Sequence, residues 1–85
     1  MGVFFRRVKM KIMTLAQLKG NTKAKILDVS GGRAITSRLM NMGIYKGKEL
    51  LKLSHIGLKG PVVVKAGRTI LALGHGIAEK IIVEA

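Results

Sequence analysis

The chain has 85 residues, a formal net charge of +12 and 48% hydrophobic residues, with aromatics at only 4% and no cysteine. That length leaves room for one core and no second domain, and the missing thiols exclude a disulfide framework, a thiolate metal site and a cysteine nucleophile. Lysine or glycine interrupts every apolar stretch well short of the roughly 18 to 20 residues that span a bilayer, so no transmembrane segment is expected.

Residues 1–13 read as a basic N-terminal tail. Arg6, Arg7, Lys9 and Lys11 lie there without an acid, while Asp28, Glu49, Glu79 and Glu84 all lie beyond it. These charges follow a very short apolar stretch, the wrong order for a secretory leader, and the expected location is cytoplasmic. Thr14-Leu15-Ala16-Gln17 has the spacing of a capping box, in which the threonine serves the backbone at Gln17 and the glutamine reaches back. The domain is therefore taken to cover 14–85, opening with a short helical turn near 14–19 that Gly20-Asn21 stops.

Ala24 to Val29 is rich in aliphatic residues and ends at Ser30-Gly31-Gly32, which predicts a strand and a turn. From about Arg33 to Met42 the period changes: Ile35, Leu39 and Met42 fall at i, i+4 and i+7, the pattern of one amphipathic helix. Gly43 suits the left-handed position just past its end, with Ile44 folding back onto the last turn. Lys46-Gly47-Lys48 makes another turn. Three short apolar runs follow, Leu50 to Ile56, Val62 to Ala66 and Thr69 to Leu73. They are separated by Gly57 to Pro61 and by Gly67-Arg68, and loops this short predict antiparallel neighbours. A helical turn near 76–80 leads into a last strand at Ile81-Ile82-Val83. The fold predicted is mainly β, a small barrel of about five strands closed on itself to remove exposed edges. Leu50-Leu51 and Val62-Val63-Val64 do not alternate, so the inward face of these strands is undetermined.

Four carboxylates and two histidines lie scattered among sixteen cationic residues. Catalysis needs a clustered acid, base or nucleophile, so the chain is expected not to be an enzyme and to require no cofactor. Gly43 to Glu49 lacks the spacing and the hydroxyl of a phosphate loop, and Gly74-His75-Gly76 places Glu79 where a dinucleotide fingerprint needs glycine. His75 and Glu79, at i and i+4, are the candidate ligands for iron(II) or another transition metal ion. A tight site needs a third donor, and nothing in the sequence brings His55 near. The plainer assignment has His75 capping a turn and His55 on a strand. Ser30 to Arg33 fits a plain turn better than an anion site. Gly43, Gly47, Pro61 and Gly67 are the expected turn and cap residues; Arg33, Arg38, Lys46, Lys48 and Arg68 form the candidate basic contact surface. The charge also admits an alternative, a small nucleic-acid-binding protein of SH3-like fold. Against it, Phe4, Phe5 and Tyr45 are the only aromatics, too few for base-stacking platforms.

Taken together, several segments resemble the ferrous-iron transport protein A (FeoA) family. They are Thr14 to Gly20, Arg38 to Gly47, Leu58 to Pro61, Gly67 to Leu73 and Ala78 to Val83, in that order and spacing. The resemblance covers 14–85. It implies an SH3-like barrel with helical decorations that acts as an accessory in ferrous-iron uptake. The implied partner is the cytoplasmic domain of an iron permease carrying a GTPase domain (FeoB type), a contact that would bring the protein to the inner membrane. A homo-oligomer is compatible with the resemblance, and no specific nucleic-acid partner is expected. A similar module closes iron-dependent repressors as an intramolecular contact domain. Two departures stand out: Leu58-Lys59-Gly60-Pro61 replaces a Leu-Gly-Asp-Pro type of loop, and the basic tail has no counterpart.

Overall fold

The computed structural model describes residues 11–57 and 59–85. The tail charges Arg6, Arg7 and Lys9, and Leu58 in the loop ahead of the fourth strand, lie outside the described residues. Six strands and two helices follow in chain order: β1 (Ile12–Thr14), β2 (Thr22–Val29), α1 (Arg33–Asn41), β3 (Glu49–His55), β4 (Val62–Ala66), β5 (Thr69–Leu73), α2 (His75–Ala78) and β6 (Ile81–Glu84). The strands form one antiparallel sheet in the order β1-β6-β2-β3-β4-β5.

The mainly β expectation holds, with two differences. The first is a sixth strand. Ile12 and Met13 stand opposite Glu84 and Val83, and Lys11 and Ala85 exchange both backbone hydrogen bonds at 2.9 and 3.0 Å. Lys11 to Met13, placed in the tail by charge and by the capping box at Thr14, are thus tied into the sheet, and α1 comes after the second strand instead of the first. The second difference is closure. Among the described residues the sheet ends at β1 and β5, so it is an open, curled SH3-like sheet. End strands of three and five residues present few ladder groups, and such short edges do not require closure for protection.

The interior is aliphatic. Ala24 and Ile26 of β2, Leu50 of β3, Val62, Val64 and Ala66 of β4, Leu73 of β5 and Ile81 and Val83 of β6 turn to one side of the sheet, where they meet Leu15, Leu18, Leu39 and Ile44. Helix α1 contributes Leu39 to this core, and Ile35 and Met42 pack at its margin, as the helical period requires. Its C-terminus closes through two backbone bonds, Gly43 N–H to the Met40 carbonyl at 3.0 Å and Ile44 N–H to the Leu39 carbonyl at 2.8 Å. That pair is a Schellman motif, with Gly43 at φ 87° in the left-handed position and Ile44 packed into the core beside the helix.

The opening turn forms its capping box without a helix. The Thr14 N–H donates to Gln17 Oε1 at 3.0 Å and the Gln17 N–H to Thr14 Oγ1 at 3.3 Å, but the chain goes no further than a turn over 15–17. A helical turn that stops so early leaves its carbonyls poorly satisfied; that of Leu15 accepts the Leu18 N–H at a long 3.3 Å. These carbonyls are taken by Lys52, the one buried charged side chain among the described residues, 1% exposed. Its Nζ donates to the carbonyls of Leu15 and Ala16 at 3.1 Å each and to that of Leu18. Three ammonium protons thereby meet three acceptors. The Lys52 carbonyl also accepts from the Asn21 N–H at 2.7 Å, so this residue fastens both ends of the opening loop to β3. A register shift against β4 between Lys52 and Ser54 marks a β-bulge at the same place, the device that re-aims a strand's side chains.

Burial pushes the Lys52 ammonium below the ordinary lysine value of 10.5, since desolvation disfavours the charged form. We expect Lys52→Met, which keeps the bulk and removes the donors, to cost about 2 to 4 kcal/mol in chemical denaturation at neutral pH, because the Ala16 and Leu18 carbonyls lose their donor and that of Leu15 keeps only a long bond. The sign of the pH dependence follows from linkage. Between the lowered folded-state value and 10.5 the unfolded chain binds more protons than the folded one, so stability rises with pH across that window. The gap between the parent and Lys52→Met should therefore widen on the alkaline side; a gap that shrinks there contradicts the assignment.

For α1, Leu39→Ala should cost about 2 to 5 kcal/mol through the cavity it leaves. Gly43→Val should cost about 1 to 2 kcal/mol through the left-handed backbone alone, because a Cβ at Gly43 would meet no atom within 4 Å. Thermal melts check both; a melt unmoved by either substitution contradicts the packing and cap described here.

Candidate functional site

The inward lysine decides what β3 shows to solvent. With Leu50 and Lys52 facing the core, Leu51 faces out and is half-buried. It stands opposite Lys23 of β2 on one side and Lys65 of β4 on the other. A row of lysine, leucine and lysine thus crosses three strands on the outer face, where side chains of paired residues are near neighbours.

This row floors a groove of about 540 Å³, whose walls include Tyr45, Gly47, Lys48, Glu49 and Gly67. Tyr45 is 40% exposed. Gly47 and Gly67 hold φ of 91° and 64°, and the turns they permit bring the loop after α1 up to the β4–β5 turn. A Cβ placed on Gly67 would come within 3.7 Å of Lys48 Nζ. Three lysines against one glutamate, around an apolar strip, suit an acidic surface that also offers an apolar residue to Leu51 and Tyr45.

Of the expected basic residues only Lys48 lines this groove. Arg33 and Arg38 lie exposed on α1, Lys46 lies on the turn beside the groove, and Arg68 is exposed at the β4–β5 turn. Pro61 belongs to the β3–β4 loop, where its carbonyl accepts from the Ile56 N–H at 3.0 Å. Lys23, Lys65 and Tyr45 are missing from the sequence-based surface. The signal for the two lysines was their alternation with buried aliphatics, Lys23-Ala24-Lys25-Ile26 and Val64-Lys65-Ala66, which marks an outward face.

A second cluster forms at one end of the sheet. His55 closes β3 opposite Val62, and Val62 stands opposite Leu73; the chain then turns at Gly74 into α2, which begins with His75. The two imidazoles meet, with His55 Nε2 to His75 Nδ1 at 3.3 Å and ring centroids 5.3 Å apart at 27°. His75 Nε2 lies 3.4 Å from Glu79 Oε2. The expected proximity of His75 and Glu79 is there, and His55 joins them from a distant strand. Among the described residues no group of three or more histidine, cysteine, aspartate or glutamate side chains forms a cage for a metal ion. No helix among them is long and apolar enough to cross a membrane.

No curated protein sequence matches the chain. Among solved structures, an iron uptake regulatory protein (FeoA) superposes with a TM-score of 0.79 at 22% identity, over 88% of this chain and 99% of that one. FeoA of Chlorobium tepidum gives 0.76 at 31% identity, over 84% and 68%. FeoA of Stenotrophomonas maltophilia, solved in complex with zinc and described as a prokaryotic SH3-domain protein and candidate ferrous-iron transport activating factor, gives 0.71 at 31% identity, over 84% and 88%. The family model for the FeoA domain matches residues 13–85, from the second residue of β1 to the last residue of the sequence; the chain belongs to the FeoA family.

Proposed function

We propose that this chain is a non-enzymatic cytoplasmic accessory of bacterial ferrous-iron uptake. It docks the cytoplasmic part of a permease that carries a GTPase domain. Family membership supports the setting in iron transport. The observation that carries the docking mode is the groove over β2, β3 and β4, where Lys23, Lys48 and Lys65 surround Leu51 and Tyr45. A groove of this make-up binds by mixed means: the lysines steer an acidic partner and fix its orientation, while the apolar strip supplies contact area that salt does not screen. Nucleic-acid binding is disfavoured at this surface because Tyr45 is its sole aromatic, whereas single-strand binders present several stacking rings.

The test is titration calorimetry of the chain against the permease's purified cytoplasmic domain. Lys48→Glu combined with Lys65→Glu should weaken binding by roughly tenfold or more with an unchanged melt, since both residues lie outside the core. Raising salt from about 0.1 to 0.5 M should weaken it only several-fold. Deleting residues 1–10, which lie outside the family match, should leave it unaltered. Binding to duplex DNA or RNA that falls linearly in log salt, with no binding to the permease domain, would replace this proposal with the nucleic-acid one.

A further inference from the structure

The meeting of His55 and His75 has a defined chemical polarity. Each imidazole carries one N–H and one lone pair when neutral, and its surroundings choose which nitrogen holds the proton. Glu79 Oε2 stands 3.4 Å from His75 Nε2, and a carboxylate there favours the N–H on that nitrogen. The lone pair of His75 is then on Nδ1, the atom that faces His55 Nε2 at 3.3 Å. In the metal-free protein His55 Nε2–H then donates to that lone pair; when an ion displaces this proton or moves it to the other His55 nitrogen, two lone pairs face the same small space.

That separation is the one coordination chemistry asks for. Two nitrogens bound to one tetrahedral ion at about 2.0 to 2.1 Å lie about 3.3 to 3.4 Å apart. A ligating histidine also characteristically gives its second N–H to a carboxylate, which holds the ring; Glu79, 3.4 Å from His75 Nε2, is near enough to take that place. The protein's net charge of +12 repels a cation, so attraction must come from coordination bonds and not from the general field. Neutral imidazole donors select borderline divalent transition metals over magnesium or calcium.

We propose that His55 and His75 form a two-nitrogen chelate for a divalent transition-metal ion, with Glu79 as the positioning carboxylate. The site supplies two donors, and its other positions are open to water or to a donor from a second molecule. Affinity is correspondingly moderate, and the site plays no part in folding. It is separate from the basic groove and does not depend on the docking proposal.

Zinc(II) chloride titrated into the untagged full chain, followed by calorimetry and by ¹⁵N-detected histidine NMR, tests this. One equivalent should bind, shifting His55 Nε2 and His75 Nδ1 together. His55→Gln and His75→Gln should each weaken binding by roughly 100-fold, and Glu79→Ala by about tenfold, with circular dichroism melts of the zinc-free variants confirming that each is folded. Magnesium should produce no shift. Absence of zinc binding to the parent chain overturns the proposal, as does binding that survives in His55→Gln. The latter result would assign the metal to His75 and Glu79 alone.

Discussion

A lysine ammonium inside an 85-residue protein is costly to desolvate, and it is kept only where its protons are met. Here they are met by the carbonyls of Leu15, Ala16 and Leu18, groups that an interrupted helical turn serves with one long bond, from the Leu18 N–H to Leu15 at 3.3 Å. The two deficits cancel. The turn needs donors, the lysine needs acceptors, and the contact joins the start of the domain to the middle of its sheet across more than thirty residues. A buried charge that is fully paired ties the register of its strand to the groups that pair it.

The alternative excluded is a slip of β3. Strand side chains alternate, so a shift by one residue exchanges the two faces. Leu51 and Leu53 would then enter the core, and Lys52 would face water. Leu50 would leave the core, so hydrophobicity favours that arrangement by one leucine and a freed charge. The three bonds from Lys52 to the carbonyls oppose that preference. With Lys52 held inside, Leu51 is left outside between Lys23 and Lys65, which creates the outer row on which the groove is built. The downstream bulge then sets the direction of the strand's end, where His55 meets His75.

Local chemistry was readable in the sequence and cross-strand register was not. Thr14 and Gln17 form the reciprocal bonds their spacing demands, and Leu39, Gly43 and Ile44 end α1 as the period and the glycine indicate, because these interactions involve residues a few positions apart. Lys52 is different: a lysine between leucines reads as an outward residue until its carbonyl partners are known. His55 and His75 are twenty residues apart, and only the pairing of β3 with β4 and of β4 with β5 brings them to one place. Strand β1 escaped notice for a related reason, as a three-residue strand has too short a pattern to reveal its partner in β6. The groove inherits this gap: Lys48 was visible as a turn lysine, whereas Lys23 and Lys65 needed the register.

The central claim is therefore that β3 is held with Lys52 inside and the basic row outside. Acetylation of the native chain with a lysine-reactive ester, followed by peptide mapping, reads both halves at once. The account predicts rapid modification of Lys23, Lys48 and Lys65, with Lys52 protected until denaturant unfolds the protein. Modification of Lys52 at the rate of the surface lysines under native conditions would contradict it, and with it the register from which the outer face is derived.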